Sequence, residues 1–358
     1  MALPFLDRFK KEVGKLESVG VGLKTVEHWL STGNYALNRA LSGDYTKGVP
    51  LGRITLFAGP SGGGKSFIVS NIAMQAQKQG YHVLFLDSEN AIDTDYLCKI
   101  GVDVSEEALT YLAVATIEDV NGVLSEFFTN YQKEYGKDNA DAQKTLIILD
   151  SLAMLSSSTE MENYDKGVIK GDFGQLSKRR KAMLRLVVGK ISRLPIKLLV
   201  TDHVYPQDVL LGDGVWAITN STKFSSSIIG IITKLKLKDE GIVTGVRMRF
   251  ETYKSRFAKL GTKVELEVPY NRGMSSTSGL IELLETDGVI AKGTQPGEKL
   301  LWISEVNGER IAFKEKDFDD EIAQKLLKHP ACAPMLARNE PEIDLEHLET
   351  QNTDPIKE

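Results

Sequence analysis

The chain has 358 residues, 42% hydrophobic and 26% charged, with a formal net charge of −5. This composition is that of a soluble globular protein, large enough for one big domain with additions or for two, and no apolar run of about eighteen residues offers a membrane span. Cys98 and Cys332 are the only cysteines and have no CxxC spacing, which excludes a disulfide framework and a cysteine-based zinc site and makes a reducing cytoplasm the expected compartment.

Charge is unevenly spread. Nine basic residues and one acid, Asp172, fall between Lys166 and Arg193, whereas beyond Asn339 seven acids face only Lys357. Any phosphate-binding surface must therefore be local. The acidic tail is expected to be disordered.

The start of the chain puts charges where a signal peptide would have its apolar core, so no leader is expected. Leu3, Leu6, Phe9, Val13 and Leu16 recur at helical spacing. A lone helix of that length is marginal in water, so it should dock on something. From Ile54 the pattern alternates strands and helices: strand Ile54–Ala58, helix 65–79, strand Val83–Leu86, helix 117–133, strand Leu146–Leu149, helix 176–193 and strand Ile196–Val200. Apolar runs alternating with helices predict a parallel sheet covered on both faces. Ile228–Lys238, Val243–Tyr253 and Lys263–Val268 follow with short turns and no helix, and read as antiparallel strands that extend the sheet. After Arg272 a small α+β unit is expected to about Pro334.

Gly59-Pro60-Ser61-Gly62-Gly63-Gly64-Lys65-Ser66 matches the phosphate-loop pattern G-x-x-x-x-G-K-[ST], between a strand and a helix as the motif requires. Its glycines let backbone N–H groups turn toward phosphates, and the helix that carries Phe67 adds its N-terminal partial charge. Lys65 should reach the β- and γ-phosphates of ATP and Ser66 should ligate Mg2+. Asp150, closing its strand, is the expected second Mg2+ partner through water. Glu89, just past the strand that ends at Asp87 and at the same sheet edge, is the candidate base for hydrolytic water.

Two segments leave that edge. One runs from Ser156 to Gly174 and contains Lys166 and Lys170; the other runs from Val204 to Phe224 and contains Trp216, Lys223 and Phe224. Lys178, Lys181 and Arg185 share one helix face. These cations can track a phosphate backbone, and the aromatics can stack on bases.

The stretches Gly48-Val-Pro-Leu-Gly-Arg-Ile54, running into the phosphate loop, and Leu86-Asp-Ser-Glu-Asn-Ala-Ile-Asp93 with Tyr96 and Gly101-Val-Asp103 resemble RecA-type recombinases over residues 30 to 330. Asp202-His203 and Lys254-Ser-Arg256 resemble, within that family, the UvsX recombinases of tailed phages. The resemblance implies a RecA-like α/β ATPase core, a mostly parallel sheet with antiparallel strands added, at 31–274. It also implies an N-terminal oligomerisation segment at 1–30, a small α+β domain at 275–336 and an acidic tail at 337–358. It puts Glu89 on the catalytic glutamate, Asp93, Tyr96 and Tyr270 beside the nucleotide, and His203 on a γ-phosphate sensor. Lys254 and Arg256 fall on a cation pair that serves a neighbouring protomer. Implied partners are single-stranded DNA, homologous duplex DNA, further copies in a helical filament, a single-strand-binding protein and a loader. The alternatives are a ring-shaped motor of helicase type and a non-catalytic paralogue acting as loader or scaffold.

Overall fold

The structure is a computed structural model that describes residues 4–15, 26, 28–136, 142–168, 174–192, 194–207, 215–218, 220–239, 242–269 and 273–334. The acidic tail, Lys170, Tyr270 and the side chain of Trp216 lie outside the described residues. In chain order come α1 (Pro4–Val13), β1 (Trp29–Leu30), α2 (Tyr35–Ser42), β2 (Val49–Pro50), β3 (Ile54–Gly59), α3 (Lys65–Lys78), β4 (His82–Asp87), α4 (Thr94–Ile100), β5 (Leu109–Ala113), α5 (Ile117–Tyr135) and β6 (Thr145–Asp150). Then follow α6 (Ser158–Asp165), α7 (Gln175–Ile191), β7 (Ile196–His203), β8 (Tyr205–Gln207), β9 (Val215–Ala217), α8 (Asn220–Ser225), β10 (Ile228–Asp239), β11 (Ile242–Ser255) and β12 (Lys263–Pro269). The last elements are α9 (Leu280–Thr286), β13 (Ala291–Lys292), β14 (Trp302–Val306), β15 (Glu309–Phe313) and α10 (Asp320–Leu326).

An eight-stranded sheet in the order β12-β11-β10-β3-β7-β6-β4-β5 organises these elements. The apolar runs of β3, β4, β6 and β7 bury residues on both faces, and period-2 alternation sorts them into two cores. Phe57, Phe85, Leu146 and Ile148 pack with α2 and α3 on one face, in an apolar cluster that continues into Leu280, Trp302 and Phe313 of the C-terminal elements. Ile54, Leu56, Ile147 and Leu149 pack with α5 and α7 on the other face.

The three late strands extend the sheet as antiparallel neighbours of one another, as expected, and the first of them also joins the parallel core. β10 pairs parallel with β3 and antiparallel with β11, and β11 pairs antiparallel with β12. The segment after β7 returns across the sheet through β8, β9 and α8, so β10 starts at the same edge as β3. The expected loop after Asp150 differs, because its first part is α6, started by a capping box of Ser157 and Glu160. A three-stranded sheet, β13-β14-β15, builds the C-terminal elements. Buried Arg39 on α2 ties them to the core: it pairs with Asp287 at 2.7 Å, and Tyr45 donates to the same carboxylate at 2.8 Å. Among the described residues no helix is long and apolar enough to cross a membrane.

Candidate nucleotide site and its surroundings

The carboxyl ends of β3, β4, β6 and β7 converge on one cavity of ≈ 300 Å³, lined by Ser61–Phe67, Glu89, Tyr96, His203, Lys234, Val246 and Met248. The phosphate loop leaves β3 at Gly59. A Cβ there would sit 2.3 Å from the Ile232 carbonyl oxygen, so only glycine allows β10 to pass this close. Gly64 has φ 96° and caps α3 without a side-chain bond, which leaves the helix N–H groups facing the cavity.

Lys65 is buried and its Nζ donates to the carbonyls of Gly59 at 3.1 Å and Pro60 at 3.0 Å. Among the described residues no carboxylate lies within ion-pair distance of it. Burial lowers its pKa, against the pull of Glu89, Asp150 and Asp202. A buried cation satisfied only by neutral carbonyls is a site prepared for an anion. Asp150 is buried and accepts from the Thr201 hydroxyl and from Ser66. Burial raises its pKa, while those two hydrogen bonds act to lower it. Ser66 and Asp150 are thus adjacent, a hydroxyl and a carboxylate of the hard-oxygen type that Mg2+ selects. Among the described residues no cluster of three carboxylate, His or Cys ligands forms a dedicated metal cage. A phosphate-assisted Mg2+ site fits that donor set.

Glu89 lines the cavity. Its Oε1 accepts from Ser151 Oγ at 2.7 Å and lies 3.3 Å from His203 Nε2. Asp87 is structural, as its position in the strand suggests: its Oδ1 accepts from the backbone N–H of Glu89 and of Asn90. Asp93 caps α4 by accepting from Tyr96 N at 2.7 Å. That helix presents Tyr96 to the cavity, where burial pushes its phenol up to about 12. Pro60 adjoins the cavity as the acceptor for Lys65, and Phe67 lines it.

Lys254 and Arg256 are elsewhere. Ile229 pairs with both Leu56 and Lys254, and Ile228 with both Thr55 and Ser255. Lys254 therefore lies toward the amino end of β3, roughly 10 Å along the strand from Gly59, and Arg256 lies farther in the same direction. Lys254 donates to the Lys223 carbonyl at 2.7 Å, and Arg256 is exposed. Neither lines the cavity of its own chain. Lys223 and the 68%-exposed Phe224 stand beside them on α8.

Lys178, Lys181 and Arg185 are exposed on α7. Lys166, at the end of α6, is 3.9 Å from Glu162. Along α5, Val123, Phe127, Tyr131 and Tyr135 line an open groove of ≈ 720 Å³ together with Glu126 and Glu134. α1 exposes Phe5, Leu6 and Phe9, alongside Arg8, Lys10 and Lys11.

Sequence reasoning missed Ser151, Thr201 and Lys234. The first two act through side-chain contacts between strands far apart in sequence. Lys234 belongs to no motif, and reaches the cavity because β10 runs parallel to β3 and extends beyond it.

The family model described as RecA N-terminal domain matches residues 5–275. The chain is similar to Protein RecA of Oleidesulfovibrio alaskensis, 24% identical over 315 residues, covering 84% of this chain and 82% of the relative. It is similar to Protein RecA of Gluconobacter oxydans at 26% over 336 residues, covering 91% and 86%, and to Protein RecA of Nitratidesulfovibrio vulgaris at 26% over 320 residues, covering 85% and 82%.

Proposed function

The chain belongs to the RecA family, and from that premise we propose that it is an ATP-dependent DNA recombinase. It forms a helical filament on single-stranded DNA and pairs that strand with homologous duplex, in the branch that resembles UvsX. The observation that carries this reading is Glu89, held between Ser151 and His203 in the cavity lined by Lys65 and by Ser66, whose hydroxyl bonds Asp150.

ATP places its phosphates in the loop of residues 59–66, where Lys65 exchanges two neutral carbonyls for terminal phosphate oxygens. Mg2+ held by Ser66, with Asp150 behind it through water, would neutralise charge on the phosphates. Glu89 orients the attacking water and accepts its proton. His203 exchanges Glu89 for a phosphate oxygen, and because β8 follows it directly, that exchange is passed to the segment 204–224. Tyr96 and Asp93 face the base.

The placement of Lys254 and Arg256 at the opposite end of β3 supports their service to a neighbour's nucleotide, where cations offset transition-state charge. The exposed apolar residues of α1, with Arg8, Lys10 and Lys11 near them, suit the aromatic groove along α5 of another copy, which Glu126 and Glu134 also line. Such a heterologous contact propagates into a filament. Lys166, Lys178, Lys181, Arg185 and Lys223 supply the DNA-facing charge. A single-strand-binding protein and a loader are the expected helpers, and the reducing cytoplasm is the expected compartment.

The test is ATP hydrolysis with and without single-stranded DNA, in the parent and in Lys65→Ala and Glu89→Gln, with the ATP-bound complex imaged. DNA stimulation, its loss in both variants and open filaments support the reading. Closed rings would assign a motor instead, and an inactive parent a scaffold.

A further inference from the structure

The turn that carries Glu89 is held from the sheet's edge. Asp87 is 1% exposed and both of its oxygens are engaged. Oδ1 accepts from Glu89 N at 2.8 Å and from Asn90 N at 2.9 Å, while Oδ2 accepts from the Tyr111 hydroxyl at 2.6 Å. Asn90 has φ 50°, a left-handed conformation that a non-glycine residue holds only when its surroundings impose it. Tyr111 lies on β5, the edge strand next to β4, in register with Phe85, on whose ring it stacks at 6.0 Å.

We propose that Tyr111 is a positioning residue for hydrolysis, fixing Glu89 through the carboxylate of Asp87. This rests on the ATPase reading above. Without the phenol, Oδ2 would be a buried anionic acceptor with no donor, and a carboxylate in that condition rotates or draws in water. Rotation would release the two N–H groups that shape the turn, and displacement of a catalytic group by a fraction of an ångström lowers turnover without weakening substrate binding. The other side of the turn is anchored separately, by Ser88 Oγ donating to the Ser151 carbonyl at 2.6 Å. The lost bond would therefore tilt Glu89 rather than unfold the segment. Burial, with the negative charge of Asp87 beside it, raises the Tyr111 pKa, so the phenol stays a donor over the working pH range. Tyr111 is 37% exposed, so turnover is open to influence from whatever contacts this edge.

The experiment compares DNA-stimulated ATP hydrolysis in the full-length parent, Tyr111→Phe, Asp87→Asn and the double variant, with Tm recorded for each. Phenylalanine keeps the stack on Phe85 and removes only the hydroxyl. The expected result is a kcat about tenfold lower in Tyr111→Phe, with KM for ATP and Tm unchanged. The double variant should be no slower than Asp87→Asn alone, because both changes act through one carboxylate. A kcat within about twofold of the parent, or losses that multiply in the double variant, would overturn the proposal. So would a lowered Tm with kcat and KM shifted together, which would assign Tyr111 to packing. A parent without hydrolysis would defeat the ATPase reading itself and this inference with it.

Discussion

Ser151 Oγ donates to Glu89 Oε1 at 2.7 Å, joining the residue after β6 to the proposed base. Asp150 and Ser151 are thus neighbours in the chain with separate duties: one faces the phosphate loop and the other holds Glu89.

Ser151→Ala removes one of the two contacts on Glu89 Oε1 and leaves the His203 contact. A hydrogen bond to a carboxylate is worth about 1.5 kcal/mol or more. Steady-state hydrolysis should show kcat lower by about tenfold, with KM for ATP nearly constant.

Lys65→Ala should act on binding first. The cavity loses its one buried cation, a charged donor worth about 2–3 kcal/mol to a phosphate. Titration with a fluorescent ATP analogue should show affinity about 100-fold weaker, with the unfolding midpoint without nucleotide unchanged or slightly higher.

Lys197 gives the protein a pH-dependent stability. It is fully buried, donates to Tyr81 OH at 2.6 Å, and burial, with the charge of Lys144 adding to it, pushes its pKa down to about 7. An unfolded lysine titrates near about 10.4. Between those values the unfolded chain binds a proton that the folded chain does not, so stability rises with pH across that window. The full cost is present below pH 7. Lys197→Met should be more stable than the parent at pH 7 by roughly 2 kcal/mol, after allowing for the lost Tyr81 contact. The advantage should shrink toward pH 9.5 in urea-unfolding curves.

Asp287→Ala strands Arg39, which is 1% exposed, without its carboxylate. Breaking a buried pair from one side costs about 3 kcal/mol or more. Urea unfolding should register that loss, and hydrogen exchange should rise first in β13–β15, which this pair ties to α2.

The sequence displayed the site well where its chemistry is local. The phosphate loop is a contiguous motif, and Asp87 and Asp150 close apolar runs that could only be strands. It displayed less where contacts depend on strand order. Nothing in the residues around Tyr111 announces Asp87, because the two meet only when β5 pairs with β4. The parallel pairing of β10 with β3 was not legible, because the return path through β8, β9 and α8 carries no apolar period to reveal it. The helix α6 was legible in principle, since Ser157 and Glu160 have capping-box spacing, but its polar composition reads as loop. Lys254 and Arg256 show the converse: resemblance assigned their role, and the register of β10 and β11 explains why they cannot perform it within one chain.

The most direct measurement is ATP hydrolysis in equimolar mixtures of two defective proteins, Glu89→Gln and the double variant Lys254→Ala/Arg256→Ala, on single-stranded DNA. Each alone should be inactive. In a mixture, an intact phosphate site on one protomer meets intact cations from its neighbour at some interfaces, so about a quarter of the parental rate should return for random assembly. A mixture as inactive as its components, in filaments shown to contain both proteins, would contradict a site shared between protomers.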